Sequence, residues 1–212
     1  MKLIIDSADF RDIEKAVSLG ITGITANASL YRKAGISMLD YLTFAERLPY
    51  RFLSAEVMGS YEEMLQQAIA LNERNRQLVI KINFSEDGLR LATALRQKGI
   101  PTAMTLIFSV TQAVLAAQAG CQYLFCFVSR NDEAGNDGLQ TVMTIAQAVK
   151  DYATAVVAAS VRNVFQLETL ATGAAAYAAV PLSLIERVIA NPLSEQGLRQ
   201  FEKDWHALAY MP

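Results

Sequence analysis

Lys81 stands in the apolar run Leu78-Val79-Ile80-Lys81-Ile82-Asn83-Phe84. A segment so rich in aliphatic and β-branched residues reads as a strand buried on both faces. An ammonium there is costly unless it is paired or gives up its proton, and a desolvated lysine can act as an amine nucleophile. Taken alone, the segment fits better a lysine that snorkels to water from a strand end or guards an edge strand. Other short apolar runs also end in reactive groups. Asp6 closes Leu3-Ile4-Ile5, and Thr25, Asn27 and Ser29 follow Gly23-Ile24. Ser54 and Glu56 are two apart and share a strand face. Thr105, Arg130, and the pair Ser160 and Arg162 complete the set. Singly, each has a structural reading as a helix cap, an ion-pair partner, a strand former or a solvated arginine. Brought to one place, they suit Schiff-base chemistry on a phosphorylated sugar. The lysine forms the imine and the carboxylates move protons, directly or through a water. Two arginines and a serine hydroxyl clamp a phosphate.

Such convergence needs a scaffold that aims strand ends at one point. The chain repeats one pattern, a short apolar strand, a polar break and an amphipathic helix. Strands are expected at 3–6, 23–26, 52–57, 78–82, 102–106, 123–128, 155–160 and 176–180, with helices such as 60–74, 86–98, 110–119 and 139–152. Ser60-Tyr61-Glu62-Glu63 and Ser85-Glu86-Asp87 offer N-cap hydroxyls with acids in the first turn. Gly20, Gly99 and Gly120 fall where left-handed C-caps are expected. Strict βα alternation predicts a parallel sheet covered by helices. Eight strands in this length suit a single-domain (β/α)8 barrel over residues 1–212, with an additional C-terminal helix at about 194–207. The alternative, an open doubly wound sheet, usually carries a glycine-rich loop after its first strand, and Asp6-Ser7-Ala8-Asp9 is not one. In a barrel Lys81 points inward together with Val79 and Asn83, while Ile80 and Ile82 face the helices.

Composition narrows the function. Of 212 residues 52% are hydrophobic and 19% charged, and the formal charge is −2, so no basic stripe marks a nucleic-acid partner. Asp6 interrupts the N-terminal apolar run too early for a signal-peptide core, and no run is long enough to span a bilayer. Cys121 and Cys126 read as buried reduced thiols, which fits a cytoplasmic protein. A single histidine, His206, makes a Ser-His triad or a histidine-rich metal site a poor fit. Neither a metal nor a cofactor is implied, and the expected partners are small-molecule sugar phosphates.

Over nearly its whole length the chain resembles the transaldolases, including their short relatives that act as fructose-6-phosphate aldolase. The matching pieces are Leu3-Ile4-Ile5-Asp6, Gly23-Ile24-Thr25-Ala26-Asn27-Ala28-Ser29, Ala55-Glu56-Val57 and Val79-Ile80-Lys81. Further on come Thr105-Leu106-Ile107-Phe108-Ser109 with Gln112-Ala113, Ala159-Ser160-Val161-Arg162-Asn163, and Phe201-Glu202-Lys203-Asp204-Trp205. The resemblance implies that Lys81 is the Schiff-base lysine and Asp6 the acid/base acting on the substrate hydroxyl. It implies that Glu56 and Thr105 hold a catalytic water. Substrate binding falls to Thr25, Asn27, Ser29, Ser54 and Phe127, and phosphate binding to Arg130, Ser160 and Arg162. By resemblance, too, the chain is expected to form a pentamer-based decamer in which the C-terminal helix packs on a neighbour.

Two sister activities then compete. The short aldolases carry glutamine and tyrosine where this chain has Glu56 and Phe127, whereas transaldolases carry glutamate and phenylalanine. Glutamate can take up and return a proton, and glutamine can only hydrogen-bond. The expectation is therefore a transferase that moves a dihydroxyacetone unit from a ketose phosphate, fructose 6-phosphate or sedoheptulose 7-phosphate, to an aldose phosphate. Release of free dihydroxyacetone and glyceraldehyde 3-phosphate by an aldolase is the alternative, and a weakly catalytic sugar-phosphate-binding protein is a third. The chain departs from the family at Ala28, where a proline is usual, and at Ala26, where a polar residue is. It also departs at Ala103, an asparagine in longer transaldolases, and at Val161, commonly a phenylalanine.

Overall fold

The computed structural model describes residues 1–173 and 175–208. Ala174 and residues 209–212, the end of the expected 1–212 unit, lie outside them. The first half runs β1 (Lys2–Asp6), α1 (Phe10–Ser18), β2 (Gly23–Thr25), α2 (Ala28–Ala34), α3 (Met38–Ala45), β3 (Phe52–Val57), α4 (Tyr61–Arg74), β4 (Val79–Asn83) and α5 (Glu86–Gln97). The second half runs β5 (Thr102–Ile107), α6 (Val110–Gln118), β6 (Tyr123–Phe127), α7 (Ser129–Glu133), α8 (Gly138–Ala148), β7 (Ala155–Ala159), α9 (Val164–Ala171), β8 (Tyr177–Val180), α10 (Leu182–Ile189) and α11 (Pro192–Ala207). The strands follow in chain order and close into a parallel barrel, with Ile5 of β1 paired to Val180 of β8. This is the expected (β/α)8 barrel with an added C-terminal helix. Closure excludes the open sheet.

Local chemistry places the elements. Ser60 and Glu63 form a reciprocal capping box at α4, and Ser85 Oγ accepts the Gly88 N–H at the start of α5. Gly20, Gly99 and Gly120 all take positive φ after α1, α5 and α6. Helix α8 stops at Ala148, short of the expected Tyr152. There Val149 leaves helical geometry (φ −105°) ahead of a turn in which the Thr154 N–H donates to Tyr152 O at 2.8 Å.

Two apolar cores result. The larger lies between barrel and helices and contains Ile80 and Ile82 of β4. The smaller fills the barrel interior with Ile4, Phe52, Val79, Ala103, Phe125, Val157, Ala159 and Ala179, against Tyr123, Phe127 and Tyr177. Phe52 meets Tyr123 edge-on with centroids 4.9 Å apart, and Tyr123 meets Tyr177 at 5.9 Å. All three lie at or near the starts of their strands. This aromatic plug leaves the C-terminal ends of the strands as the place for a cavity.

Candidate active site

At those ends lies a cavity of about 360 Å³. Asp6, Asn27, Ser29, Glu56, Lys81, Thr105, Phe127, Arg130, Ser160 and Arg162 all line it. Lys81 is 4% exposed on β4, and its Nζ donates to the Ala26 carbonyl at 3.0 Å. The same nitrogen lies 4.9 Å from the centroid of the Phe125 ring, whose face attracts a cation. Register sets its neighbours. Glu56 pairs with Lys81 across β3–β4, and Asn83 pairs with Thr105 across β4–β5. Glu56 and Lys81 therefore share one level of the barrel, with Thr105 one inward step above.

The two acids have different surroundings. Glu56 Oε2 accepts the Ala28 N–H at the first turn of α2, 3.2 Å away. Asp6 Oδ1 is buried and has no hydrogen-bond partner among the described residues, and neither do the hydroxyls of Tyr31 and Tyr41. Burial raises the Asp6 carboxyl above its ordinary value; Lys81 opposes this, Glu56 adds to it and Arg130 opposes it. Burial also pushes up the Tyr31 and Tyr41 phenols, and the negative charge of Asp6 adds to both.

Two arginines also line the cavity. Arg130 sits on α7 rather than at the end of β6, its guanidinium 4.9 Å from the Phe127 ring centroid. Arg162, in the loop after β7, is ion-paired with Glu133. Ser160 takes a left-handed backbone, φ 56°, which a residue with a Cβ adopts at a cost of about 1–2 kcal/mol.

Thr25 and Ser54 are not on the cavity wall. Both are fully buried inside the barrel, and their hydroxyls bond each other at 2.7 Å, joining β2 to β3 beneath the lysine's level. Asn27 spends its side-chain oxygen on the Leu30 N–H as the N-cap of α2, which leaves its amide NH2 free to donate. The wall further includes Ala28, Met58, Asn83, Leu106, Phe125 and Ala159. Asn83 points inward with Lys81 as strand alternation predicts, and the same alternation from Phe127 reaches Phe125. Leu106 could not be found that way. It lines the cavity because β5 shifts register between Met104 and Ile107, with Leu106 itself at φ 60°. Among the described residues no group of three or more His, Cys, Asp or Glu side chains is placed to hold a metal ion.

Comparison with known proteins agrees with this geometry. Residues 3–211 match the family model described as Transaldolase/Fructose-6-phosphate aldolase. The chain is 39% identical over 212 residues to a Thermodesulfovibrio yellowstonii protein named "Probable transaldolase", covering 98% of this chain and 99% of that one. It is 40% identical to a protein of the same name from an Anaeromyxobacter species, over 97% of each chain. A third of that name, from Shouchella clausii, is 35% identical over 97% of each. A closed parallel barrel, a buried lysine sharing a cavity with two carboxyls at its C-terminal mouth, and full-length likeness to these proteins together establish that the chain belongs to the transaldolase/fructose-6-phosphate aldolase family.

Proposed function

We propose that the protein is a transaldolase-type transferase that carries dihydroxyacetone on Lys81. The observation that carries this reading is the buried Lys81 amine, set level with Glu56 beneath Thr105 and Asn83, in a cavity that Asp6, Arg130 and Arg162 also line. Lys81 Nζ adds to the ketose carbonyl, and loss of water from the carbinolamine leaves an imine. Glu56 and Thr105 hold the water through which those protons move. Asp6 then takes the proton of the C4 hydroxyl as the C3–C4 bond breaks. The aldose phosphate leaves, and the bonding pair stays on Lys81 as an enamine. The enamine attacks the carbonyl of an acceptor aldose phosphate, whose oxygen receives the proton from Asp6. Hydrolysis of the new imine frees the lysine. Arg130, Ser160 and Arg162 bind the phosphate, Asn27 and Ser29 the sugar hydroxyls, and Phe127 packs against the carbon chain. Thr25 and Ser54, bonded to each other beneath the pocket, tie β2 to β3 and do not touch the substrate.

Borohydride reduction in the presence of fructose 6-phosphate should leave a stable adduct on Lys81. An adduct elsewhere, or none, overturns the reading in favour of a sugar-phosphate-binding protein. Rates measured with and without erythrose 4-phosphate separate transfer from simple cleavage. Strong dependence on that acceptor supports the transferase, and equal release of dihydroxyacetone without it indicates the aldolase.

The reading extends to assembly and compartment. Helix α11 buries none of its residues, which supports contact with a second copy of the chain in a pentamer-based assembly. Cys121 and Cys126 are both buried free thiols, and burial pushes Cys121 up to about 11. Unpaired thiols support a cytoplasmic location.

A further inference from the structure

Gln166 on α9 is buried, and both polar atoms of its side chain are engaged. Its Oε1 accepts from Ser129 Oγ at 3.1 Å and from the Arg162 N–H at 2.9 Å. Its Nε2 donates to Asp132 Oδ2 at 2.9 Å. Asp132 extends the chain, because its Oδ1 accepts the Gly138 N–H at 2.9 Å. Only glycine fits at that position, since a Cβ on Gly138 would lie 2.2 Å from Val128 O. One amide thus joins α7, which carries Arg130, to the loop that carries Ser160 and Arg162.

That joint matters because the other side-chain tie of α7, the buried Asn131 donating to Phe127 O at 3.0 Å and Phe108 O at 3.2 Å, holds it to β6 and the end of β5 and not to the loop after β7. Helix α7 has five residues and no side-chain N-cap, too short to hold its shape without tertiary support. The Ser129 N–H bonds Ser160 O at 3.0 Å. The side-chain pair between Arg162 and Glu133 is about half exposed on both partners, the kind of contact that contributes least.

We infer that Gln166 is a positioning residue that sets the spacing of Arg130 against Ser160 and Arg162, and so sets affinity for the substrate phosphate without touching it. The inference rests on the reading of those three residues as the phosphate site. A buried amide suits the task. Losing it leaves Ser129, Asp132 and the Arg162 N–H short of partners, and an arginine clamp depends on fixed geometry.

The test uses the intact protein and Gln166→Leu, which keeps the volume. KM for erythrose 4-phosphate and the inhibition constant for inorganic phosphate should rise together by about tenfold, as expected for a lost buried hydrogen-bond set. KM for unphosphorylated erythrose, kcat and borohydride trapping of dihydroxyacetone on Lys81 should stay within about twofold, because none of them uses the phosphate clamp. Ser129→Ala removes one bond of the set and should move the same two constants by about two- to threefold; it decides the matter alone if Gln166→Leu does not fold. Equal changes with and without the phosphate group, or none in a phosphate-inhibited protein, overturn the inference alone. A wild-type protein indifferent to inorganic phosphate overturns the phosphate-site reading and the inference with it.

Discussion

The Ala28 backbone N–H donates to Glu56 Oε2 at 3.2 Å, so the first turn of α2 holds one of the two pocket carboxylates. Proline, usual at this place in the resembling family, has no N–H to offer. Asn27, at φ −150° and ψ 170°, already has the extended backbone of a residue before proline, and the first helical position tolerates proline. Ala28→Pro therefore deletes one donor and leaves the helix in place. Its two effects should run in opposite directions. Restricting the unfolded chain stabilises by about 0.4–1 kcal/mol, while losing the bond to Glu56 slows borohydride trapping of dihydroxyacetone by about three- to tenfold. An unchanged trapping rate in a folded variant refutes the role given to this bond.

Asp6 gives the clearest opposition between stability and activity. Its carboxyl sits above its ordinary value of 3.8 in the fold, chiefly because it is buried. A raised carboxyl favours the protonated folded state, so its contribution is present below the unfolded value and is lost as pH rises through the folded one. Asp6→Asn removes the buried charge. The variant should match the wild type in acid and exceed it in Tm at pH 7. Its turnover should fall by about a hundredfold or more, as when a general acid–base group is lost. A lower Tm at pH 7 than wild type refutes the electrostatic account.

Much of the pocket was legible from alternation along single strands. Lys81 at the centre of an apolar strand carries Val79 and Asn83 inward, and both are found there, while Ile80 and Ile82 join the outer core. Alternation fails where the backbone leaves the regular strand, as at Leu106. It also says nothing of pairings across strands. Thr25 and Ser54 satisfy each other because β2 and β3 are neighbours, which no local pattern reveals. Arg130 looked like a strand-end residue because Tyr123 to Val128 is apolar throughout, but Val128 breaks the strand and α7 begins after it. Gln166 was invisible for another reason. Its side-chain partners Ser129 and Asp132 lie 37 and 34 residues away in sequence, and a glutamine on a helix announces nothing until the fold closes around it.

Glu133 sets a limit on phosphate affinity. It is ion-paired with Arg162 and lies on α7 three residues from Arg130, so an arriving phosphate dianion meets a carboxylate at the arginine it needs. Both side chains are more than half exposed, 54% and 56%, and the pair contributes little to folding. Glu133→Gln should therefore leave Tm nearly unchanged and lower KM for fructose 6-phosphate by about two- to threefold at low salt. The gain should shrink as salt screens the charge. A raised KM, or a gain indifferent to salt, shows that Glu133 orients Arg162 rather than competing for it.

Helix α11 offers the test of assembly. Leu198, Phe201 and Trp205 recur at intervals of three and four residues, which places them on one helical stripe. All three are exposed, Phe201 by 74% and Trp205 by 72%. Each such aromatic gains about 1.5–3 kcal/mol on leaving water, and within the described chain nothing covers them. If a second copy does, Phe201→Glu combined with Trp205→Glu should reduce the mass seen by light scattering from a multiple of 23.2 kDa to the single chain. A wild-type protein already at the single-chain mass refutes the assembly. None of the pocket-lining residues lies on α11, so the dissociated variant should still form the borohydride-trapped adduct on Lys81. Adduct formation lost along with assembly would mean that the neighbouring copy shapes the mouth of the barrel.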